Sequence, residues 1–251
     1  MALMEARGLT LNKRLQSVDV ALSPGEMLGV IGPNGSGKSS LLQSLAGLLP
    51  ASGEVLLDGR PYAAFSALER ARRIGFLPQF CESVWSLAAE DIVALGRLPW
   101  RDQETETGRA AIAEALRETE TLPFAQKRVD QLSGGERARV WLARALAGCP
   151  SVILADEPIA SLDLFYQARV MGTLRRFAQA PRGAVVALHD LALAARYCDQ
   201  ICLMREGCVA AQGKPAEVLT KAMLSEVFGV PIHVDLACSP PVILPVWTKT
   251  I

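Results

Sequence analysis

Eight consecutive residues near the start of the chain have the composition of a phosphate-binding loop. The run Gly32-Pro33-Asn34-Gly35-Ser36-Gly37-Lys38-Ser39 fits the pattern G-x-x-x-x-G-K-[ST]. Its glycines allow successive backbone amides to face a phosphate, and a helix that follows adds the positive end of its dipole. We expect Lys38 to reach the outer phosphates and Ser39 to ligate Mg²⁺. A chance glycine-rich turn is the alternative, but an apolar run precedes the loop and a helical pattern follows it.

Two adjacent carboxylates follow a predicted buried strand in the second half of the chain. The apolar run 152–155 leads directly into Asp156 and Glu157. Because open α/β sheets bind ligands at the carboxyl ends of their strands, this pair is well placed for chemistry. We expect Asp156 to hold Mg²⁺ through water and Glu157 to be the general base for a hydrolytic water. Acidic residues also end strands for purely structural reasons.

A third motif, Leu132-Ser133-Gly134-Gly135-Glu136, opens a predicted helix that runs to about Ala147. Ser133 and Glu136 have the spacing of a capping box, which is an ordinary structural role. Capping does not explain two consecutive glycines, which destabilise a helix and favour close approach of another group. Bare amides at a helix start would suit a second anion.

The elements that must position these motifs alternate between short apolar β-type runs and longer helical runs. This alternation predicts an α/β fold with helices flanking a sheet. The predicted strands are residues 18–22, 27–31, 54–57, 74–77, 152–155, 184–188 and 200–205. Helices are expected at 38–48 and, from Leu164, after Asp163. No strand is expected from about 81 to 147, and beyond Leu219 a helix ending at Gly229 precedes short strands.

Composition excludes several classes of protein. The chain has 251 residues, half of them apolar, with 26 Lys and Arg against 26 Asp and Glu. This balance excludes a dedicated electrostatic nucleic-acid binder, so no nucleic-acid partner is expected. No apolar run has the length of a membrane-spanning helix and no signal peptide is recognisable, so we expect a soluble, intracellular protein. The six cysteines form no C-x-x-C pair and are expected to be small buried residues.

In their order along the chain, the motifs resemble those of ATP-binding cassette (ABC) ATPases. The resemblance rests on residues 32–39, Gln79, 132–136, 152–157, Ser161-Leu162-Asp163 and His189. It covers essentially the whole chain and implies a P-loop NTPase (RecA-like) α/β core with an antiparallel β subdomain and an inserted helical subdomain. The implied single domain, 1–251, has core and antiparallel β parts at 1–80 and 148–219. The helical subdomain is at about 81–147, and a C-terminal extension is at 220–251.

The resemblance also implies ATP and Mg²⁺ as cofactors and a head-to-tail homodimer. Each ATP would lie between the phosphate loop (residues 32–39) of one copy and the signature motif (residues 132–136) of the other. The implied nucleotide contacts are Gly32, Pro33, Asn34, Gly35, Ser36, Gly37, Lys38, Ser39, Ser40, Ser133, Gly134, Gly135, Glu136 and Asp163. The implied metal ligands are Ser39, Gln79 and Asp156, and the catalytic residues are Glu157, His189 and Gln79.

Three of these roles have simpler structural alternatives. In the family's pattern Gln79 also contacts the attacking water, His189 contacts the γ-phosphate, and Asp163 lies in a loop that crosses the dimer interface. A glutamine at a strand end is usually solvated, and a histidine before an aspartate is usually a satisfied polar residue. Asp163 also suits the N-cap of the helix from Leu164.

The family usually stacks an aromatic ring on adenine ahead of the phosphate loop, and this chain departs from that pattern. No Phe, Tyr or Trp precedes Tyr62. We expect Leu11 or the stem of Arg14 to cover the base instead. Without that aromatic ring, the sequence does not indicate whether the site prefers ATP or GTP.

Two short segments resemble the iron-chelate, heme and cobalamin uptake branch of the family: Ala94-Leu95-Gly96-Arg97-Leu98-Pro99 and Glu226-Val227-Phe228-Gly229-Val230. They imply the ATPase of a bacterial importer, peripheral at the cytoplasmic face of the inner membrane. Its partners would be integral-membrane permease subunits and, indirectly, a periplasmic substrate-binding protein. The alternatives are an importer for another cargo, such as molybdate or an amino acid, and a soluble ABC ATPase without transport. Trp85, Leu98 and Trp100 are candidates for the permease groove, although each is more typical of a core residue.

Overall fold

The computed structural model describes residues 1–79, 86–160 and 162–246. Its larger sheet has six strands, which are β3 (Met27–Ile31), β6 (Ile74–Leu77), β7 (Val152–Asp156), β8 (Gly183–Ala187), β9 (Gln200–Arg205) and β10 (Cys208–Gly213). Their order is β10-β9-β3-β8-β7-β6, and all neighbours are parallel except β9 and β10. Every residue of β3, β7 and β8 is buried, as expected for a parallel sheet covered on both faces.

A second, antiparallel sheet packs beside the first. Its strands are β1 (Met4–Leu11), β2 (Leu15–Leu22), β4 (Ser52–Leu57) and β5 (Arg60–Pro61), in the order β2-β1-β4-β5. A turn at Asp58 and Gly59 joins β4 to β5, and both residues have positive φ. Near the end of the described chain, β11 (Ile232–Asp235) and β12 (Val242–Pro245) form a separate hairpin.

Helices lie on both faces of the six-stranded sheet, between β6 and β7, and after β10. They are α1 (Lys38–Leu45), α2 (Ala67–Arg73), α3 (Ala89–Ala94), α4 (Glu106–Glu118), α5 (Gly134–Ala147), α6 (Leu164–Phe177), α7 (Leu191–Tyr197), α8 (Pro215–Val218) and α9 (Lys221–Phe228). Gly229 ends α9 in the left-handed conformation, as its position predicted. Within the described ranges, no helix combines the length and the apolarity needed to cross a membrane.

Alternate side chains of β3 enter two separate cores. Leu28 and Val30 pack with α1 and the antiparallel sheet, whereas Met27 and Ile31 pack with helices α3 to α6. Because β3, β8, β7 and β6 are parallel neighbours, their carboxyl ends lie at one edge of the sheet. The phosphate loop follows β3 at that edge, and Asp156 ends β7 there. The predicted α/β fold is confirmed, with its mixture of a parallel and an antiparallel sheet.

Two expectations about apolar side chains are wrong. Cys198 and Cys202 are buried as predicted, but three other cysteines are exposed. Cys149 lies in the turn after α5, Cys208 on the edge strand β10, and Cys238 in the loop between β11 and β12. Cys81 lies outside the described residues. Leu98 and Trp100 are not core residues, since they are 56% and 36% exposed.

The indole of Trp100 is instead held at the surface by a hydrogen bond and two cation–π contacts. Its Nε1 donates to the carbonyl of Gly148 at 2.9 Å, and the guanidinium groups of Arg72 and Arg97 lie 4.8 and 5.0 Å from its ring centre. The ring thereby joins α2 to the end of α5. Trp85 lies outside the described residues.

The segment Leu95-Gly96-Arg97 fixes the end of α5. Arg97 is buried and donates to the carboxylate of Asp102 at 3.0 Å and to the carbonyl of Ala147 at 3.0 Å. Gly96 lies against α5 so closely that an added Cβ would come within 3.0 Å of the carbonyl oxygen of Arg144. The glycine and the arginine of this motif therefore have a packing role in this chain.

We expect Gly96→Ala to lower the free energy of unfolding by about 1–3 kcal/mol, because the new methyl group overlaps rigid backbone. Gly172→Ala is the matched control, since Gly172 lies inside α6 with only the end of Arg176 nearby, at 3.6 Å. That change should raise stability by about 0.5–1 kcal/mol through helix propensity. Denaturant unfolding of both variants measures these changes in the free energy of unfolding. Equal changes in the two variants would contradict the close contact at Gly96.

Candidate functional site

The phosphate loop curls between the end of β3 and the start of α1. Gly32, Gly35 and Gly37 have φ angles of 149°, 78° and 104°, which only glycine adopts readily. On one side the loop is packed, because a Cβ on Gly37 would lie 2.6 Å from the carbonyl oxygen of Arg14. At Gly35 an added Cβ would meet no atom within 4 Å. The loop is therefore braced against the antiparallel sheet and open toward a cavity.

Lys38 is held inside this loop. It is 5% exposed, and its Nζ donates to the carbonyls of Gly32 at 2.9 Å and Pro33 at 3.2 Å. Burial lowers the pKa of Lys38, and the nearby carboxylates of Glu157 and Asp156 oppose that shift. A phosphate oxygen would replace weak carbonyl partners with a charged one.

Ser39 in the first turn of α1 and Asp156 at the end of β7 form an oxygen-rich pair. The Oγ of Ser39 donates to Oδ1 of Asp156 at 3.0 Å, and Asp156 is 2% exposed. Burial raises the pKa of Asp156, whereas the hydrogen bond from Ser39 lowers it. Hydroxyl and carboxylate oxygens are the ligands that Mg²⁺ prefers, so the chemistry of this pair fits that ion.

The carboxylate of Glu157 lies between two predicted catalytic residues. Gln79 donates from Nε2 to Oε2 of Glu157 at 2.6 Å, and Nε2 of His189 is in close contact with Oε1. Glu157 has a φ of 49°, an unusual value for a residue with a side chain and one that is common at functional sites. Its side chain is 11% exposed and faces the cavity. The structure thus brings Gln79, Glu157 and His189 together.

A cavity of about 680 Å³ joins Lys38, Ser39, Gln79, Glu157 and His189, whereas the buried Asp156 is not in its lining. It is lined by Lys13, Arg14, Asn34, Gly35, Ser36, Gly37, Lys38, Ser39, Ser40, Gln79, Glu157 and His189. Its volume suits a ligand of nucleotide size. Arg14 lines the cavity as expected, whereas Leu11 packs against the core of the antiparallel sheet.

Sequence reasoning did not assign Lys13 to the site. The signal was available, because Lys13 and Arg14 form a basic pair at the turn between β1 and β2. The sequence does not indicate that this turn lies beside the phosphate loop, because their proximity depends on how the two sheets pack.

The signature motif and Asp163 do not line this cavity of their own chain. Ser133 and Glu136 form the predicted capping box: Ser133 Oγ accepts from the amide of Glu136 at 3.3 Å, and the Glu136 carboxylate accepts from the amide of Ser133 at 2.8 Å. Asp163 caps α6 by accepting from the amide of Tyr166 at 3.0 Å. The simpler capping roles are therefore real, and they leave the exposed backbone of Gly134 open to solvent.

The family model and the curated relatives that match this chain all belong to ABC transport systems. The family described as "ABC transporter" matches residues 15–160. The hemin import ATP-binding protein HmuV of Streptomyces coelicolor is 46% identical over 88% of this chain and 79% of its own length. That of Myxococcus xanthus is 41% identical over 96% of both chains.

Solved structures agree with the sequence relatives. A metal-chelate type ABC transporter in an inward-facing conformation matches with a TM-score of 0.83 and 25% identity over 98% of both chains. A dimeric ATP-binding cassette bound to ADP and phosphate matches with a TM-score of 0.75 and 28% identity, over 84% of this chain and 98% of that one.

Proposed function

This chain belongs to the ABC transporter family, and we propose that it is the ATP-hydrolysing subunit of a bacterial importer for heme or a related iron-chelate compound. The observation that carries the proposal is the similarity to a hemin import ATP-binding protein along 96% of both chains. The structural match to a metal-chelate type transporter supports the same class of cargo. Neither comparison favours molybdate, an amino acid or a function without transport.

The geometry of the cavity supports ATP hydrolysis. Lys38 and the backbone amides of residues 34–40 bind the phosphates, and Ser39, Asp156 and Gln79 would hold Mg²⁺. When bound, this ion offsets negative charge on the phosphates. Glu157 accepts the proton of the attacking water at its carboxylate, while Gln79 and His189 fix the orientation of that carboxylate and contact the reacting groups.

A second copy of the chain completes the site in this proposal. Ser133, Gly134, Gly135, Glu136 and Asp163 lie outside their own cavity, which supports their contact with the nucleotide of a partner. The amides at the exposed start of α5 carry the positive end of the helix dipole and suit the terminal phosphate. The structural similarity to a dimeric cassette agrees with this arrangement.

A groove on the helical side supports docking of a permease. Its volume is about 380 Å³, and its lining includes Leu48, Phe76, Leu95, Pro99 and Arg144. Leu48 in this lining is 60% exposed, and Leu98, which precedes Pro99 outside the lining, is 56% exposed, so apolar surface is available for a partner. We propose that a cytoplasmic permease helix binds here and keeps the chain peripheral at the inner face of the membrane. A periplasmic binding protein would supply the cargo.

We also propose that the chain divides as the motifs indicate. Residues 1–80 and 148–219 form the core and antiparallel β parts, about 81–147 form the helical subdomain, and 220–251 form the extension. The two sheets lie in the first two ranges, and helices α3 to α5 lie in the third, which supports these boundaries.

Transport in proteoliposomes tests the cargo. The chain is reconstituted with the permease encoded beside its gene and with the associated binding protein, and uptake of hemin, a ferric siderophore, cobalamin and molybdate is measured with ATP inside. ATP-dependent uptake of one of the first three is expected. Uptake of molybdate alone would contradict the cargo class, and uptake without ATP hydrolysis would contradict the role of the chain.

We expect Arg14→Ala to weaken ATP binding by about three- to fivefold, the size of an exposed contact between a guanidinium and a base. Arg7→Ala is the control, because Arg7 is also exposed but does not line the cavity. Titration of each variant with ATP and with GTP measures the effect. An unchanged dissociation constant for Arg14→Ala would mean that the base does not lie against this residue.

A further inference from the structure

The second glycine of the signature motif has a reason within its own chain. Gly135 is buried, and a Cβ added there would come within 3.0 Å of three ring carbons of Tyr166 on α6. Real Cβ atoms do not make such contacts with an aromatic ring, so the ring lies directly on the glycine backbone. Gly134 beside it has no atom within 4 Å of the same position. The two glycines therefore serve different purposes.

Tyr166 is also tied to Asp163 through its backbone. Its amide donates to Oδ1 of Asp163 at 3.0 Å, which caps α6. One residue thus holds the Asp163 carboxylate with its main chain and contacts the signature motif with its ring.

A cation on α5 also packs against the ring of Tyr166. The guanidinium of Arg139 on α5 lies 5.2 Å from the ring centre of Tyr166 and also 5.2 Å from that of Phe124. Arg139 donates further to the carbonyls of Thr119 and Glu120, at 3.2 and 2.8 Å. The start of α5 and the start of α6 are therefore joined by packing that leaves the ring little freedom.

We infer that Tyr166 is a positioning residue that holds the signature motif and the Asp163 loop in one fixed relation, so that a second copy meets them as a single surface. The inference rests on the proposed function, because only a dimeric ATPase requires both segments to reach one nucleotide together. In the described contacts the hydroxyl of Tyr166 has no hydrogen-bond role, so the ring is the part that matters.

Stability measurements test the contact without reference to ATP. Gly135→Ala is compared in the native chain and in a Tyr166→Ala background, with Leu164→Ala as the control background because Leu164 is 83% exposed and is not among the atoms nearest to Gly135. We expect Gly135→Ala to lower Tm clearly in the native and Leu164→Ala chains and much less once the ring of Tyr166 is absent. An equal fall in all three backgrounds would overturn the contact.

Kinetic measurements test the positioning role. We expect Tyr166→Ala to lower kcat by about tenfold or more, since small misplacements of reacting groups are costly, while ATP binding to the isolated monomer stays within about twofold. Tyr166→Phe should restore most of kcat. Wild-type kcat in Tyr166→Ala, or loss of activity that Phe does not restore, would overturn the inference. A different result would contradict the proposed function itself, namely that the unaltered chain with its permease does not hydrolyse ATP.

Discussion

Glu157→Gln is expected to bind ATP normally while kcat falls by about 10²- to 10⁴-fold, the usual contribution of a general base. The amide has the size of the carboxylate but cannot accept a proton from water. The hydrogen bond between Ser39 and Asp156 and the two carbonyl contacts of Lys38 do not involve the altered group, so the phosphate and metal side of the cavity is preserved. Pre-steady-state phosphate release and an ATP titration together measure the two effects.

Glu104→Gln is a matched control, because it makes the same chemical change on a side chain that is 92% exposed. It should retain wild-type turnover. Normal hydrolysis by Glu157→Gln would remove Glu157 from the proton-transfer role. Loss of ATP binding would instead indicate that its carboxylate holds the nucleotide site together through Gln79 and His189.

Continuous apolar runs made the central strands predictable. The limits of residues 27–31, 74–77 and 200–205 agree with β3, β6 and β9, because short apolar runs bounded by polar or turn residues leave a strong signal. Strand β1 was not predicted, since its pairing with β2 shifts register around Gly8, where φ is 58°, and the alternation of apolar residues is lost. Helix α2 was not predicted because it buries no residue and has no apolar face.

The site was predicted residue by residue, but its assembly was not. Gln79, Glu157 and His189 follow β6, β7 and β8, which are neighbours in the sheet although they are far apart in sequence. Their side chains can meet only because parallel strands in this order end at one edge. Motif spacing does not contain the strand order, so the contacts of Glu157 required the structure. The contact between the ring of Tyr166 and Gly135 also required the structure, because motif spacing does not indicate how α5 and α6 pack.

Ser133→Arg is expected to lower steady-state hydrolysis by about 100-fold or more, the usual cost of losing a donor to the reacting phosphate, while a single copy still binds ATP at Lys38. The change places a long cation at the exposed start of α5, which the proposed dimer brings against the nucleotide of the partner. The phosphate loop of the same chain is unaffected, because Ser133 does not line the cavity. ATPase assays over a range of protein concentrations, with ATP titration of the dilute monomer, measure both effects.

Loss of the helix cap must be separated from loss of the interface, and this chain has a matched pair of caps. Ser66 caps α2 through the same capping box, with Glu69 in the place of Glu136. Both Ser66→Arg and Ser133→Arg remove a cap worth about 1 kcal/mol, so both should lose similar stability. Only Ser133→Arg should lose hydrolysis. Equal loss in both variants would assign the effect to capping, and full activity of Ser133→Arg would mean that the start of α5 does not face ATP.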